Sequence, residues 1–141
     1  KSIIKRGAKN VGILGICYKG DVPIWNSSPA IPIIKTLRNK KIKVKIYDPY
    51  FSNVDLTKRG PLLGFDIETF NFPEGLAEFD TILLISDHKK FRLANASIIK
   101  KYLKKCRLIL DNTGLWSNLN FGKNIKYYRI GWENWIKGEE V

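Results

Sequence analysis

The chain has 141 residues, 44% of them hydrophobic, so it has the length of one domain and enough apolar material for a core, which excludes a disordered tail. No apolar run approaches the roughly 20 residues of a bilayer span, and the opening KSIIKRGAKN lacks the apolar stretch of a secretory signal. Lys and Arg number 25 against 13 Asp and Glu, a net +12, which favours anionic partners. The lysines are scattered through every segment, however, and a nucleic-acid footprint should gather on one face, so the charge reads as a solvated surface and nucleic acid is disfavoured. Two cysteines, Cys17 and Cys106, are too few for a disulfide scaffold and fit a reducing, cytoplasmic setting.

In chain order, residues 1–9 are basic and read as the end of a linker from an upstream domain. Residues 10–17, NVGILGIC, form an apolar run of the kind that fills a central parallel strand. A polar loop, 18–28, leads to a helix predicted over 29–40. Pro29 suits its first position and Ser28 its N-cap, and Ala30, Ile33, Ile34 and Leu37 make one apolar face. Residues 43–47 alternate as a second strand, stopped by Asp48-Pro49, which completes a βαβ unit. A short extra strand is expected within 65–70, a short helix within 72–79, and a third main strand, TILLIS, over 81–86, ended by Asp87-His88. Asn95 is placed to cap a helix over 96–104 with Ile98, Ile99, Tyr102 and Leu103 facing inward; strands follow at 107–110 and 126–130. Strands alternating with helices predict an α/β fold: a doubly wound, mostly parallel sheet of five to six strands with helices on both faces. The domain is expected to span 10–137, with a tail at 138–141.

If the strands are parallel, the polar residues that follow them share one rim of the sheet: Tyr18, Lys19 and Asp21, then Asp48, then Asp87 and His88, then Asp111, Asn112 and Thr113. Ligands of open α/β sheets sit at such carboxyl-terminal ends. The glycines of the first turn, Gly12, Gly15 and Gly20, do not have the G-x-G-x-x-G spacing that brings a pyrophosphate onto the helix, so dinucleotide binding by this segment alone is not expected. No P-loop is present. One histidine and two distant cysteines make no metal site of usual spacing; Cys17 reads as core and His88 as a loop-packing residue. Lys19, flanked by Tyr18 and Gly20, can reach an anionic ligand as a flexible point charge; the alternative is a solvated loop lysine. Trp132 and Trp135 read as packing residues rather than a base-stacking platform.

With these residues set out, the chain resembles the C-terminal, UDP-binding domain of the UDP-glucose/GDP-mannose dehydrogenase family. The matching blocks are VGILGICYKGDV and SSPA, KVKIYDPY, FDTILLISDHKKF and RLILDNTG. The resemblance implies a Rossmann-like fold and an NAD-dependent nucleotide-sugar 6-dehydrogenase that oxidises C6 to a uronate. It implies no catalytic residue in this stretch, with the catalytic cysteine upstream and NAD held mainly by an N-terminal domain. Expected partners are the nucleotide-sugar substrate, the protein's own N-terminal and central domains and a second copy in a homodimer, with no membrane. The Tyr18-Lys19 pair aligns with the family's substrate-contacting aromatic-lysine pair.

Two positions depart from the family pattern. Asn26 stands where the family usually has an arginine that reaches the cofactor, and Thr113 where it usually has one that reaches substrate or the neighbouring subunit. Neither side chain offers a guanidinium's rigid donor fork. This leaves open an inactive structural or assembly domain of a divergent homologue. The charge leaves open a basic nucleic-acid-binding domain.

Overall fold

The computed structural model describes residues 2–17, 20–25, 28–52, 55–56, 62–65 and 67–129. A short helix α1, Ser2–Lys5, precedes strand β1, Asn10–Leu14, and helix α2, Ala30–Asn39. Strands β2, Lys43–Tyr47, and β3, Glu68–Thr69, follow, then a 3-10 turn, Glu74–Glu78. The rest is β4, Thr81–Leu84; α3, Lys89–Arg92; α4, Ala96–Tyr102; β5, Leu108–Asp111; and β6, Lys126–Arg129.

The six strands form one sheet in the order β3-β2-β1-β4-β5-β6, and every pairing is parallel. The chain thus starts at the centre, winds outward to β3, then returns to the other side of β1 and winds outward again. That reversal is the doubly wound Rossmann-like arrangement, with its switch point between β1 and β4. Alternate strand residues feed two cores. Val11, Ile13, Val44, Ile46, Leu83, Leu108 and Leu110 pack with Ala30, Ile34 and Leu37 of α2 on one face. Leu14, Ile82, Leu84 and Ile109 pack on the other with Phe91 of α3, Ile99 of α4 and Leu76 of the 3-10 turn. Burial of both faces explains why the strands read as unbroken apolar runs. Gly12 faces the second core under Phe79; a Cβ there would lie 2.5 Å from the ring.

Several boundaries differ from the sequence reading. The first strand stops at Leu14 rather than 17, because Gly15 turns the backbone at φ 92° and the next two amides turn to a carboxylate. Pro29, not Ser28, is the N-cap of α2, although Ser28 Oγ accepts from Ala30 N at 3.1 Å. Asn95 caps α4 through Ser97 N at 2.8 Å, but Ile98 is 51% exposed, so the inward face is Ile99 and Leu103 with Tyr102 partly covered. The short helix expected within 72–79 is the 3-10 turn, and α3 had no periodic signal in so few residues.

Candidate functional site

Because the sheet is wholly parallel, the segments after β1, β2, β4 and β5 all emerge on one rim. Asp48, the residue after β2, is 2% exposed and accepts from four donors. Oδ2 takes Ile16 N at 2.7 Å, Cys17 N at 3.3 Å and His88 Nε2 at 2.9 Å; Oδ1 takes Tyr50 N at 2.9 Å. Burial pushes its carboxyl up, but the bonds from His88, Ile16 and Tyr50 prevail and hold it below its ordinary value. His88 is fully buried, and its Nδ1 accepts from Asp21 N at 3.0 Å. Nδ1 therefore carries no proton, Nε2 carries it, and the ring meets Asp48 as a neutral donor.

These bonds fasten the long loop after β1 to the segment after β4. Ser86 Oγ donates to Cys17 O at 2.8 Å, and Gly20 N donates to Asp87 Oδ1 at 2.7 Å. A Cβ on Gly20 would fall 2.0 Å from that same oxygen, so the close approach needs glycine. Asp21, at φ 59°, accepts from Lys89 N at 2.8 Å and from Tyr50 Oη at 3.2 Å. Ile24 and Trp25 of the loop stay substantially exposed, at 48% and 37%, and Tyr50 at 42%.

A second carboxylate organises the far side of the rim. Asp111, fully buried, accepts at Oδ1 from Thr113 N, Thr113 Oγ1 and Gly114 N, and at Oδ2 from Trp116 N and Tyr127 Oη. Burial and this bond to Asp111 push the Tyr127 hydroxyl well above the usual tyrosine range. The guanidinium of Arg129 lies over Gly114, with Nε 2.6 Å from where a Cβ would stand, so the next strand brings a cation beside Thr113.

Cys17, Asp48 and His88 bring their polar atoms within 4.8 Å of one another. As arranged they do not suit a metal. His88 uses both ring nitrogens in hydrogen bonds, and burial with the Asp48 charge pushes the Cys17 thiol up to about 12, so it stays protonated. Nor do the described crossover residues suit a dinucleotide. Asp48, at the place of a ribose-binding acid, has both oxygens occupied inside the fold, and Ala30 N at the start of α2 is already bonded to Ser28.

Of the residues singled out from sequence, Tyr18, Lys19 and Asn26 lie outside the described residues, as do Trp132 and Trp135. Thr113 is on the rim, its hydroxyl donating to Asp111 and accepting from Leu115 N at 3.1 Å. Sequence reasoning missed the Asp48–His88 pair and Arg129. Polar residues at strand ends flag the positions of Asp48 and His88 but not Arg129, and pairing residues 40 apart requires the strand order.

The sheet order and the loops gathered at one rim define a Rossmann-like doubly wound domain. Residues 12–118 match the sequence model of the UDP-glucose/GDP-mannose dehydrogenase family, UDP binding domain, and the chain belongs to that family. It is 30% identical over 133 residues to the UDP-N-acetyl-D-mannosamine dehydrogenase of Methanococcus aeolicus, an alignment covering 89% of this chain and 27% of that protein. It is also 30% identical over 128 residues to the UDP-glucose 6-dehydrogenase of Rickettsia conorii, covering 87% and 28%. The chain thus spans little more than a quarter of the length of these relatives. In fold it resembles the NDP-N-acetyl-D-galactosaminuronic acid dehydrogenase of Methanosarcina mazei, with a TM-score of 0.68 at 21% identity over 90% of this chain and 26% of that one. No helix among the described residues is long and apolar enough to cross a membrane.

Proposed function

We propose that this chain, whose domain spans 10–137, binds the nucleotide part of a nucleotide sugar within an NAD-dependent nucleotide-sugar 6-dehydrogenase. The observation that carries the reading is the match of residues 12–118 to the family's UDP binding domain. The substrate diphosphate lies at the carboxyl-terminal rim. Lys19 supplies a flexible ammonium to it and Tyr18 a ring beside it. Arg129, placed over Gly114, adds a guanidinium at the Thr113 side of the same rim. The nucleophilic thiol and the NAD site belong to other parts of the full-length protein, which pairs as a homodimer. Cys17 is a buried thiol held protonated, and Ala30 N at the start of α2 is already bonded to Ser28. Two buried free thiols, Cys17 and Cys106, suit a reducing, cytoplasmic compartment.

Isothermal titration of the chain with UDP, UDP-sugars and GDP-sugars tests this. UDP compounds should bind, and Lys19→Ala should weaken them about tenfold, the loss of one well-placed charged contact. Equal binding by wild type and Lys19→Ala would remove the assigned role. An assembly-only reading draws on Thr113, whose hydroxyl is turned to Asp111 and Leu115 N rather than outward. Reduction of NAD by the full-length protein with any nucleotide sugar would exclude that reading.

A further inference from the structure

The amino-terminal rim of the sheet, opposite the proposed substrate site, carries a groove of about 750 Å³ that nothing above uses. Asn10, Thr81, Leu108 and Lys126, which open β1, β4, β5 and β6, line its floor. Four adjacent strands make this floor roughly 14 Å wide. Six cations surround it. Arg6 and Lys9 come from the segment after α1, Lys105 and Arg107 from the turn before β5, Lys123 from the turn before β6 and Lys126 from the first position of β6. All six are exposed.

Of the two carboxylates at the groove, Glu78 is paired outside it and Asp80 is tied to the groove's own floor. Glu78 pairs with Lys45 at 3.0 Å. Asp80 accepts from Lys9 N, Asn10 N and Thr81 Oγ1 at 3.0, 2.9 and 2.8 Å. Among the described residues, none of the six cations is in an ion pair. Arg6 is nonetheless held in place: it donates to Tyr128 Oη at 3.0 Å, with its guanidinium 4.7 Å from the ring centroid. Like charges brought together from three separate segments repel one another unless an anion answers them.

We infer that this groove binds an oligophosphate, a chain of linked phosphate groups such as tripolyphosphate or the tail of a nucleoside triphosphate. The volume is that of a small-ligand site, and the cations offer several phosphates separate partners. Among the described residues the lining includes no aromatic side chain, and these offer single-stranded nucleic acid no stacking platform. The groove lies at the amino-terminal ends of the strands, away from the rim the proposed function uses, and the inference stands apart from that function.

The test is titration of the chain with inorganic tripolyphosphate, ATP and a single-stranded RNA, with amide shifts followed by NMR. Tripolyphosphate should bind, more weakly as salt rises, and should shift the amides of Asn10, Leu108 and Lys126. Arg107→Glu with Lys126→Glu should weaken it about tenfold or more, two charged contacts being reversed. Lys40→Glu with Lys100→Glu, the same change in net charge elsewhere on the surface, should leave it within about twofold. ATP binding more tightly than tripolyphosphate would identify a nucleotide as the source, and equal binding the phosphate chain alone; both support the groove. Equal weakening by the two double variants, shifts confined to the other rim, or RNA binding the groove in preference to both would overturn it. Lys19→Ala should leave tripolyphosphate binding unchanged, so the two proposals fail separately.

Discussion

At the carboxyl-terminal rim, Asp48, His88 and Asp111 lie inside the fold, and their side-chain polar atoms are bonded to loops or neighbouring side chains. At the amino-terminal rim, Lys105, Arg107, Lys123 and Lys126 stand in solvent with no ion pair among the described residues. The two rims belong to the same strands, so the difference is not one of secondary structure. Long loops leave the carboxyl-terminal rim and need internal anchors to hold one shape. The turns entering the other rim are shorter, and their charged side chains face water. The buried carboxylates of the first rim therefore set conformation, and the exposed cations of the second are available for a ligand.

The largest test of that contrast is Asp48→Ala. It strands Ile16 N, Cys17 N, Tyr50 N and the His88 Nε2 proton, and each orphaned buried donor costs about 1–3 kcal/mol. Urea denaturation should show a loss of at least about 3 kcal/mol; a loss below 1 kcal/mol would mean that the loop is held some other way. The same carboxylate sets the acid limit. Held in the fold below the ordinary value of 3.8, it contributes stability that is fully present above that pH and is lost as pH falls through the lower folded value. Ellipticity followed through an acid titration should fall only below about pH 4, and Asp48→Asn should flatten that dependence.

Tyr127→Phe is the intermediate case. It removes one of five bonds to Asp111, the 2.6 Å donation to Oδ2, and should cost about 1–2 kcal/mol in the same denaturation experiment. The smallest effect belongs to the other rim: Lys105→Ala with Lys123→Ala should change stability by no more than about 0.5 kcal/mol. A larger loss would show that these lysines hold the fold after all.

Much of this molecule is local and was readable. The limits of β2 at Lys43–Tyr47, the Asn95 cap and the buried face of α2 follow from alternation, a capping side chain and helical spacing. The carboxyl-terminal rim was readable as a set of positions, because polar residues follow each apolar run. Ile98 lies outward because a helix as short as Ala96–Tyr102 buries a narrower stripe than its spacing allows.

By itself the sequence determined the strands, their alternation with helices, and the glycine spacing that departs from a dinucleotide turn. Those depend on neighbours along the chain. The tertiary structure alone decided that β4 would lie beside β1. That single placement carries His88 to Asp48 and Gly20 to Asp87, and it gathers cations from Arg6 to Lys126 at one groove. Contacts between residues so far apart in the chain are set by the order of the strands, which no local pattern encodes.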